Sequence, residues 1–489
     1  MTQINVKDLT FTYDNATYMV FDHVSFTFDT QYKLGLIARN GKGKTTFLKL
    51  LSKELDDNNA INPHIQTSYF PYEIEDKTLP FSSIIFLLET DIEYWKFLKE
   101  IHLLGLDEEL LERPFNTLSY GEQTKVQLAL LFSFDQHYLL IDEPTNHLDI
   151  EGRKQLAQYL KQKNGFLLVS HDRYFLDETI DHVLSFDKNK IELVAGNFSS
   201  WYTDRQNQEN LEIALNNKLK KDIVRLEGAV RTNTNWSNAV EKSKIGARDK
   251  GYVGHMAAKA MKRAKNIERR QKEAIAQRKG LLKNVEEIED LKIHPLPYFK
   301  DTLVLFDDFT IAYEKPLFEP ITCTICENDK VFLEGKNGAG KSSIIKTILQ
   351  ENSSYEGLMK VGSQLIISYV SQDTSYLKGT LDAYIEKENV DGVLMRAILR
   401  KLDFRRELFD KDMSTFSLGQ KKKVLIARSL SQQAHLYIWD EPLNYIDIFS
   451  RMSIEKLLKE ANVTMLMVEH DERFKENIAT KTIHLYPIN

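Results

Sequence analysis

One set of short motifs occurs twice in this chain at an almost constant separation, and that duplication constrains the fold more than any other feature. Ala38-Arg39-Asn40-Gly41-Lys42-Gly43-Lys44-Thr45 near the front is answered by Gly335-Lys336-Asn337-Gly338-Ala339-Gly340-Lys341-Ser342. Leu139-Leu140-Ile141-Asp142-Glu143-Pro144 is answered by Tyr437-Ile438-Trp439-Asp440-Glu441-Pro442, and Ser170-His171-Asp172 by Glu469-His470-Asp471. The offsets are 297 for the lysines, 298 for the aspartates and 299 for the histidines. One domain has been duplicated with almost no net insertion.

Within each copy, short apolar runs alternate with helical patterns. Residues Tyr32 to Ile37 read as a strand feeding a glycine loop, Thr45 to Leu51 as the helix that the loop opens, and Gly165 to Ser170 as another buried strand. Such alternation predicts an α/β fold with a largely parallel sheet covered by helices. The copies span residues 1–200, with a short arm region at about 80–115, and 299–489. Between them, over residues 201–298, strand signals vanish and apolar residues fall at helical spacing: Leu215, Leu219, Ile223, Leu226 and Val230, then Ile267, Ala274, Leu281 and Ile288. Gly246, Gly251 and Gly254 mark a break near 238–254, so this segment reads as two helices of roughly 30 residues folded back on each other, reaching on the order of 45 Å.

At 489 residues and 42% hydrophobic content, the chain has enough apolar material for two or three cores. No apolar run nears the roughly 18 to 20 residues of a membrane span, and the first residues do not resemble a signal peptide, which points to a cytoplasmic protein. The two cysteines, Cys323 and Cys326, have a C-x-x-C spacing. A redox pair or half a zinc site is one reading, but no second Cys or His pair stands nearby, and small residues of a β-strand is the simpler one. The net charge of −6 conceals an asymmetry: from Lys218 to Lys283 stand 19 Lys or Arg against 6 Asp or Glu, a balance of +13. An acidic body with one basic segment points to a polyanionic partner met by that segment.

The glycine loops supply backbone N–H groups and a helix N-terminus that favour phosphate oxygens. Asn40, Gly41, Gly43, Lys44, Thr45 and Thr46 in one copy, and Gly335, Asn337, Gly338, Gly340, Lys341, Ser342 and Ser343 in the other, are therefore candidate ATP-binding residues. Lys44 and Lys341 would reach the terminal phosphates, and Thr45 and Ser342 would hold Mg²⁺. The first loop carries Ala38 where the pattern has glycine, a departure that matters only if that position needs a positive φ. Asp142 and Asp440 are candidate metal ligands, Glu143 and Glu441 candidate groups for polarising the attacking water, and His171 and His470 candidate contacts for the γ-phosphate. Tyr13 and Tyr313 are candidates for stacking on adenine, with ordinary core packing as the competing reading.

Leu118-Ser119-Tyr120-Gly121-Glu122-Gln123 and Phe416-Ser417-Leu418-Gly419-Gln420-Lys421, with the loops, acid pairs and histidines above, resemble the signature motifs of ATP-binding cassette proteins. Asp149 and Asp447 match the family's D-loop. The resemblance implies a Mg²⁺-dependent ATPase whose cassettes sit head to tail. One site would then combine Lys44, Asp142, Glu143 and His171 with Ser417 and Gly419, and the other Lys341, Asp440, Glu441 and His470 with Ser119 and Gly121. Gln372 matches the family's Q-loop glutamine as a further metal contact; its counterpart is Tyr72, which implies unequal sites.

Two fused cassettes joined by a basic helical linker resemble the ABC-F branch, and Trp236-Ser237, Met261-Lys262-Arg263 and the short ending after His470 look most like its Lsa/Vga antibiotic-resistance group. That resemblance implies a monomer, acting as an intramolecular pair, that binds the 70S ribosome at the E site when ATP is bound. It would touch 23S rRNA and the P-site tRNA, bind neither membrane nor DNA, and displace lincosamides, pleuromutilins and streptogramin A. The loop at about 236–256 would approach the drug site. Candidate contacts are Trp236, Lys242, Lys244, Arg248, Lys250, Tyr252, Val253 and His255, with Lys259, Lys262, Arg263, Lys265, Arg269 and Arg270 on the following helix. A general translation factor and a transporter ATPase are the alternatives.

Overall fold

The duplicated apolar runs form the centres of two sheets in a computed structural model of the chain. It describes residues 2–13, 19–56, 60–62, 65–87, 93–134, 137–146, 148–186, 191–242, 259, 262, 265–267, 269–270, 273, 293–313, 315–351 and 354–488. Strands of four to six residues that are buried on both faces need helices above and below, and that requirement sets the architecture. In the first cassette the order is Thr67–Phe70, Tyr138–Asp142, Phe166–Val169, Lys33–Ala38, His182–Phe186, with Ile191–Ala195 antiparallel at the edge. In the second it is Ile367–Val370, Leu436–Asp440, Met465–Val468, Lys330–Glu334, Lys481–His484, parallel throughout.

This order positions the chemistry. The strand feeding each glycine loop lies beside the strand that ends at the histidine, which lies beside the strand that ends in the acid pair. Register makes the match explicit: Asp142 pairs with Val169 and Asp440 with Val468, each two residues before a histidine. Loop, acids and histidine therefore emerge from the carboxyl edge of one sheet, where open parallel sheets bind ligands. In the second sheet Trp439, fully buried beside Asp440, donates its indole N–H to Ser429 Oγ at 3.0 Å, satisfying the polar end of the largest core side chain.

Each cassette also carries a three-stranded antiparallel sheet that the alternation of runs did not announce. Gln3–Phe11 is flanked by Phe21–Asp29 and Ile61–Asn62, and Thr302–Ile311 by Ile321–Cys326 and Tyr355–Val361. Cys323 and Cys326 lie in the strand of that second sheet as free thiols, and no group of three or more His, Cys, Asp or Glu able to hold a metal occurs among the described residues. In the arm region the described residues form two short helices, Phe81–Leu87 and Tyr94–Leu103.

The chain divides into a body, residues 1–201 and 290–489, and a second unit, 202–289. Within the body the cassettes meet over buried ion pairs. Arg173 Nη2 of the first lies 2.7 Å from Glu455 Oε2 and 3.7 Å from Asp471 Oδ1 of the second, and within the second Arg451 Nη1 holds Asp471 Oδ2 at 3.2 Å. The helix that opens the linker runs from Phe198 to Lys242, 45 residues or about 67 Å, longer than the expected arm of roughly 30 residues. Gly228 is the one glycine inside it, and a single glycine costs a helix only about 1 kcal/mol, too little to end one this long. Trp236 and Lys242 fall on this helix; Lys259, Lys262, Lys265, Arg269 and Arg270 are helical and exposed; Lys244, Arg248, Lys250, Tyr252, Val253, His255 and Arg263 lie outside the described residues. Among the described residues no helix is long and apolar enough to cross a membrane.

Candidate nucleotide sites

The helices that the glycine loops open, Lys44–Leu51 and Lys341–Ile348, start at Gly43 and Gly340, both at φ 92°. A side chain would be strained in that left-handed backbone, and at Gly43 a Cβ would also lie 2.8 Å from Val20 Cγ1. Neither Ala38 nor Gly335 has a positive φ. The alanine that departs from the pattern therefore sits where alanine fits, at the buried end of its strand. Lys44 Nζ donates to the Ala38 carbonyl at 2.8 Å, and Lys341 Nζ to the carbonyls of Gly335 at 2.7 Å and Lys336 at 3.1 Å. Each ammonium is folded onto the carbonyls of its own loop. The Tyr13 hydroxyl bonds Thr46 Oγ1 at 3.0 Å and the Tyr313 hydroxyl Ser343 Oγ at 3.3 Å, which sets both partly exposed rings beside these helices and not in a core.

The acid pairs behave unequally. Glu143 and Glu441 both occupy left-handed backbone, φ 52° and 46°, a conformation that costs of order 1–3 kcal/mol in a residue other than glycine and clusters at functional sites. Burial, then the neighbouring Asp142 charge, pushes Glu143 up to about 8. Burial acts on Glu441 in the same direction, but the facing His470 imidazole and the charges of Lys341 and Lys422 outweigh it and hold this carboxyl below its ordinary value. Burial raises Asp142 and Asp440 and lowers His171 and His470, so both imidazoles are neutral at physiological pH. The histidine Nε2 atoms stand 3.3 Å from Glu143 Oε1 and 3.6 Å from Glu441 Oε1.

Buried oxygens normally have partners. Asp440 Oδ1 and Glu143 Oε1 have no hydrogen bond among the described residues. Orphaned carboxylate oxygens, beside an ammonium and a helix N-terminus, suit a site that receives a phosphate-bound cation. Asp142 differs, because its Oδ2 accepts from the Tyr69 hydroxyl at 2.8 Å.

Both signature serines start helices through capping boxes. Ser119 Oγ accepts from Glu122 N at 3.3 Å, and Ser417 Oγ accepts from Gln420 N at 3.3 Å. Ser119 and Gly121 line a cavity of about 950 Å³ whose opposite wall carries Lys336, Asn337, Gln372, Glu441 and His470 of the other cassette. On the other face, Gly419 is pressed against the Tyr445 carbonyl, Asn40 Nδ2 donates to that carbonyl at 3.3 Å, and Arg405 Nη2 donates to Gly41 O at 2.8 Å. The cavity there, about 1040 Å³, is lined from the first cassette alone, by residues including Lys44, Thr45, Tyr72, Asp142, Glu143 and His171.

Several residues at the interface or beside the sites escaped the sequence reading. Arg39 pairs with Asp403 at 3.2 Å and lies over the Phe449 ring, while its repeat mate Lys336 meets Glu151 at 3.8 Å. Lys423 forms a buried pair with Asp447 at 2.8 Å. Lys422 Nζ bonds the carbonyls of Ser371 and Glu441. Extending the motif comparison along the repeat would have flagged Lys422, because its counterpart is the uncharged Thr124.

The sequence model of the ABC transporter family matches residues 21–146 and 318–444, together more than half of the chain. The ribosome protection protein VmlR of Bacillus subtilis is 28% identical over 95% of this chain and 83% of its own length. The energy-dependent translational throttle protein EttA of Haemophilus influenzae is 23% identical over 94% and 88%. Among solved structures, RNase-L Inhibitor matches with TM-score 0.61 at 18% identity, covering 98% of this chain and 87% of that one. An archaeal ribosome recycling factor, aABCE1, solved with the ribosomal stalk protein aP1, matches with TM-score 0.59 at 17% identity, covering 98% and 87%. At these identities the two structures speak to the fold alone.

Proposed function

Since this chain belongs to the ABC transporter family, as an ABC-F-type member of an ATPase class, we propose that it closes its two cassettes on two MgATP molecules and, so closed, protects the ribosome from antibiotics. The observation that carries the ATPase half is the cavity of about 950 Å³ with the signature turn of one cassette on one wall and the loop, glutamine, glutamate and histidine of the other facing it. Neither cassette supplies all of these groups alone.

In this reading Lys44 and Lys341 leave their loop carbonyls for the phosphates, and the signature serines lend a hydroxyl from the facing side. Glu441, held ionised, and Glu143, once ionised, accept a proton from the attacking water, which the neutral His171 and His470 help to orient. Asp142, Asp440, Thr45, Ser342 and Gln372 would hold Mg²⁺, which neutralises the charge that develops on the phosphate oxygens.

For the partner, we infer the 70S ribosome at its E site, with 23S rRNA and the P-site tRNA in contact, and a drug spectrum of lincosamides, pleuromutilins and streptogramin A, as in the Lsa/Vga group. Support comes from the exposed helical Lys259, Lys262, Lys265, Arg269 and Arg270, suited to RNA phosphates, and from the likeness to a relative named a ribosome protection protein. Expression in a drug-sensitive bacterium should raise the inhibitory concentration of at least one of the three classes, and a Glu143→Gln, Glu441→Gln chain should co-sediment with ribosomes in ATP. Unchanged susceptibility to all three, with ribosome binding kept, would instead favour a general translation factor, the reading that the likeness to a translational throttle protein supports.

A further inference from the structure

Two arginines related by the repeat, Arg153 and Arg451, stand one helical turn past the D-loop aspartates. Each turns its Nε back onto a carbonyl ahead of its own aspartate, Arg153 to Leu148 O at 3.1 Å and Arg451 to Ile446 O at 2.9 Å. Each also pairs through Nη1 with the aspartate that follows a histidine, Asp172 at 2.7 Å and Asp471 at 3.2 Å. There the symmetry ends. Arg153 Nη1 makes one more bond, to the carbonyl oxygen of His470 in the opposite cassette at 3.1 Å, and no matching bond joins Arg451 to His171 among the described residues.

That extra bond has unusual connections. Asp172 caps the helix Arg173–Thr179 by accepting from Phe175 N, so the guanidinium is tied to the turn carrying His171 as well as to the one carrying His470. Arg153 is 8% exposed, lines the cross-cassette cavity and spends its planar fork on three acceptors, an arrangement that lysine cannot reproduce. A carbonyl held from outside fixes the backbone of its residue, and the His470 ring is the group that stands over Glu441. Burial lowers that imidazole's pKa, the Glu441 carboxylate opposes the shift, and the Arg153 charge adds to the lowering.

We propose that Arg153 is a positioning residue acting across the cassettes: it sets the backbone of His470 and so ties the second hydrolytic centre to the D-loop and histidine turn of the first. The link runs one way, because the mirror bond is missing. This rests on the reading of the cavity as an ATP site.

The test uses the full chain in two backgrounds. Glu143→Gln leaves turnover to the second centre, and Glu441→Gln leaves it to the first. Arg153→Ala is expected to lower kcat at least tenfold in the Glu143→Gln background with KM for ATP held within twofold, and to cost at least fivefold less in the other background. Arg153→Lys, which keeps the charge and loses the fork, should fall between Arg153→Ala and the parent. Equal losses in both backgrounds, an effect on KM alone, or an unaltered kcat would overturn the proposal. Should Arg153→Ala fail to fold, Arg153→Lys decides: a loss of threefold or more confined to the Glu143→Gln background supports the assignment, and an equal loss in both overturns it. ATP binding on the same proteins separates the two claims. A parent chain that binds no ATP overturns the cavity reading and this proposal together, whereas intact binding with unaltered kcat in Arg153→Ala overturns only the role of Arg153.

Discussion

Arg173 of the first cassette reaches Glu455 of the second, Nη2 to Oε2 at 2.7 Å, through a contact that the repeat does not mirror: the matching positions hold Glu472 and Ala157. Both side chains are about nine-tenths buried. Removing one partner of a buried pair strands the other, at about 3–5 kcal/mol. Arg173→Ala and Glu455→Ala should each destabilise the body by that order, and the double variant by far less than the sum. A double-mutant cycle in denaturant reads this directly; strictly additive losses would mean that the two do not interact.

Gly340 stands at φ 92°, with Leu317 and Phe318 atoms 3.2–3.3 Å from where a Cβ would be. Left-handed backbone costs an L-residue roughly 1–2 kcal/mol, and the strain falls on the turn that aims N–H groups at phosphate. Gly340→Ala should weaken ATP binding at the second site by at least tenfold, read by titration with a fluorescent nucleotide. Unchanged affinity would show that the turn can relax.

Asp447 gives a pH signature. Burial alone would raise its carboxyl, but the Lys423 charge and hydrogen bond outweigh burial and hold it well below the usual range. A carboxylate depressed on folding stabilises fully above the unfolded pKa of about 3.9, and that contribution fades as pH falls through it toward the folded value. Asparagine still caps the helix Ile448–Glu460, so Asp447→Asn isolates the charge. The gap in unfolding temperature between parent and variant should be widest near pH 7 and shrink below about pH 4. A gap that is constant down to pH 3 would contradict this.

The two hydrolytic centres should also respond unequally. Gln372 lines one cavity and Tyr72 the other, and only the former cavity draws its walls from both cassettes. Glu143→Gln and Glu441→Gln should each slow turnover at their own site, on the order of 10²-fold or more, and leave different residual single-turnover rates. Identical residual rates would argue for equivalent sites.

Neutralising Lys262 and Lys265, both exposed on the linker, should weaken ribosome binding and flatten its salt dependence. For two lost phosphate contacts, the slope of log affinity against log salt should fall by about 1.5. An unchanged slope would place these lysines away from the RNA.

The parts of the site built by one stretch of chain were legible without coordinates. Lys44, Asp142 and His171 sit in local patterns of strand, loop and helix, and the repeat marks their mates. Groups that meet only because the cassettes face each other left weaker traces. The Arg153 and Arg451 pair was visible in principle, since both stand four residues past a D-loop aspartate. Arg173 and Glu455 left none, because their separation of 282 residues follows no repeat offset. The antiparallel sheets were missed for another reason. The register of Gln3–Phe11 against Phe21–Asp29 slips twice, so strict alternation of buried and exposed residues, the usual mark of such a strand, is broken.

Carrying both halves on one polypeptide has a further effect. Their meeting is an intramolecular event governed by the tether, so dilution does not disperse the pair as it would two separate subunits. Each position also exists once. Ser170 in one half and Glu469 in the other, or Thr124 and Lys422, alter a single face and leave its twin untouched. In a dimer of identical chains the same exchange would be stamped on both faces at once. Fusion thus gives selection two separately adjustable copies, and the bond from Arg153 to His470 is one place where they already differ.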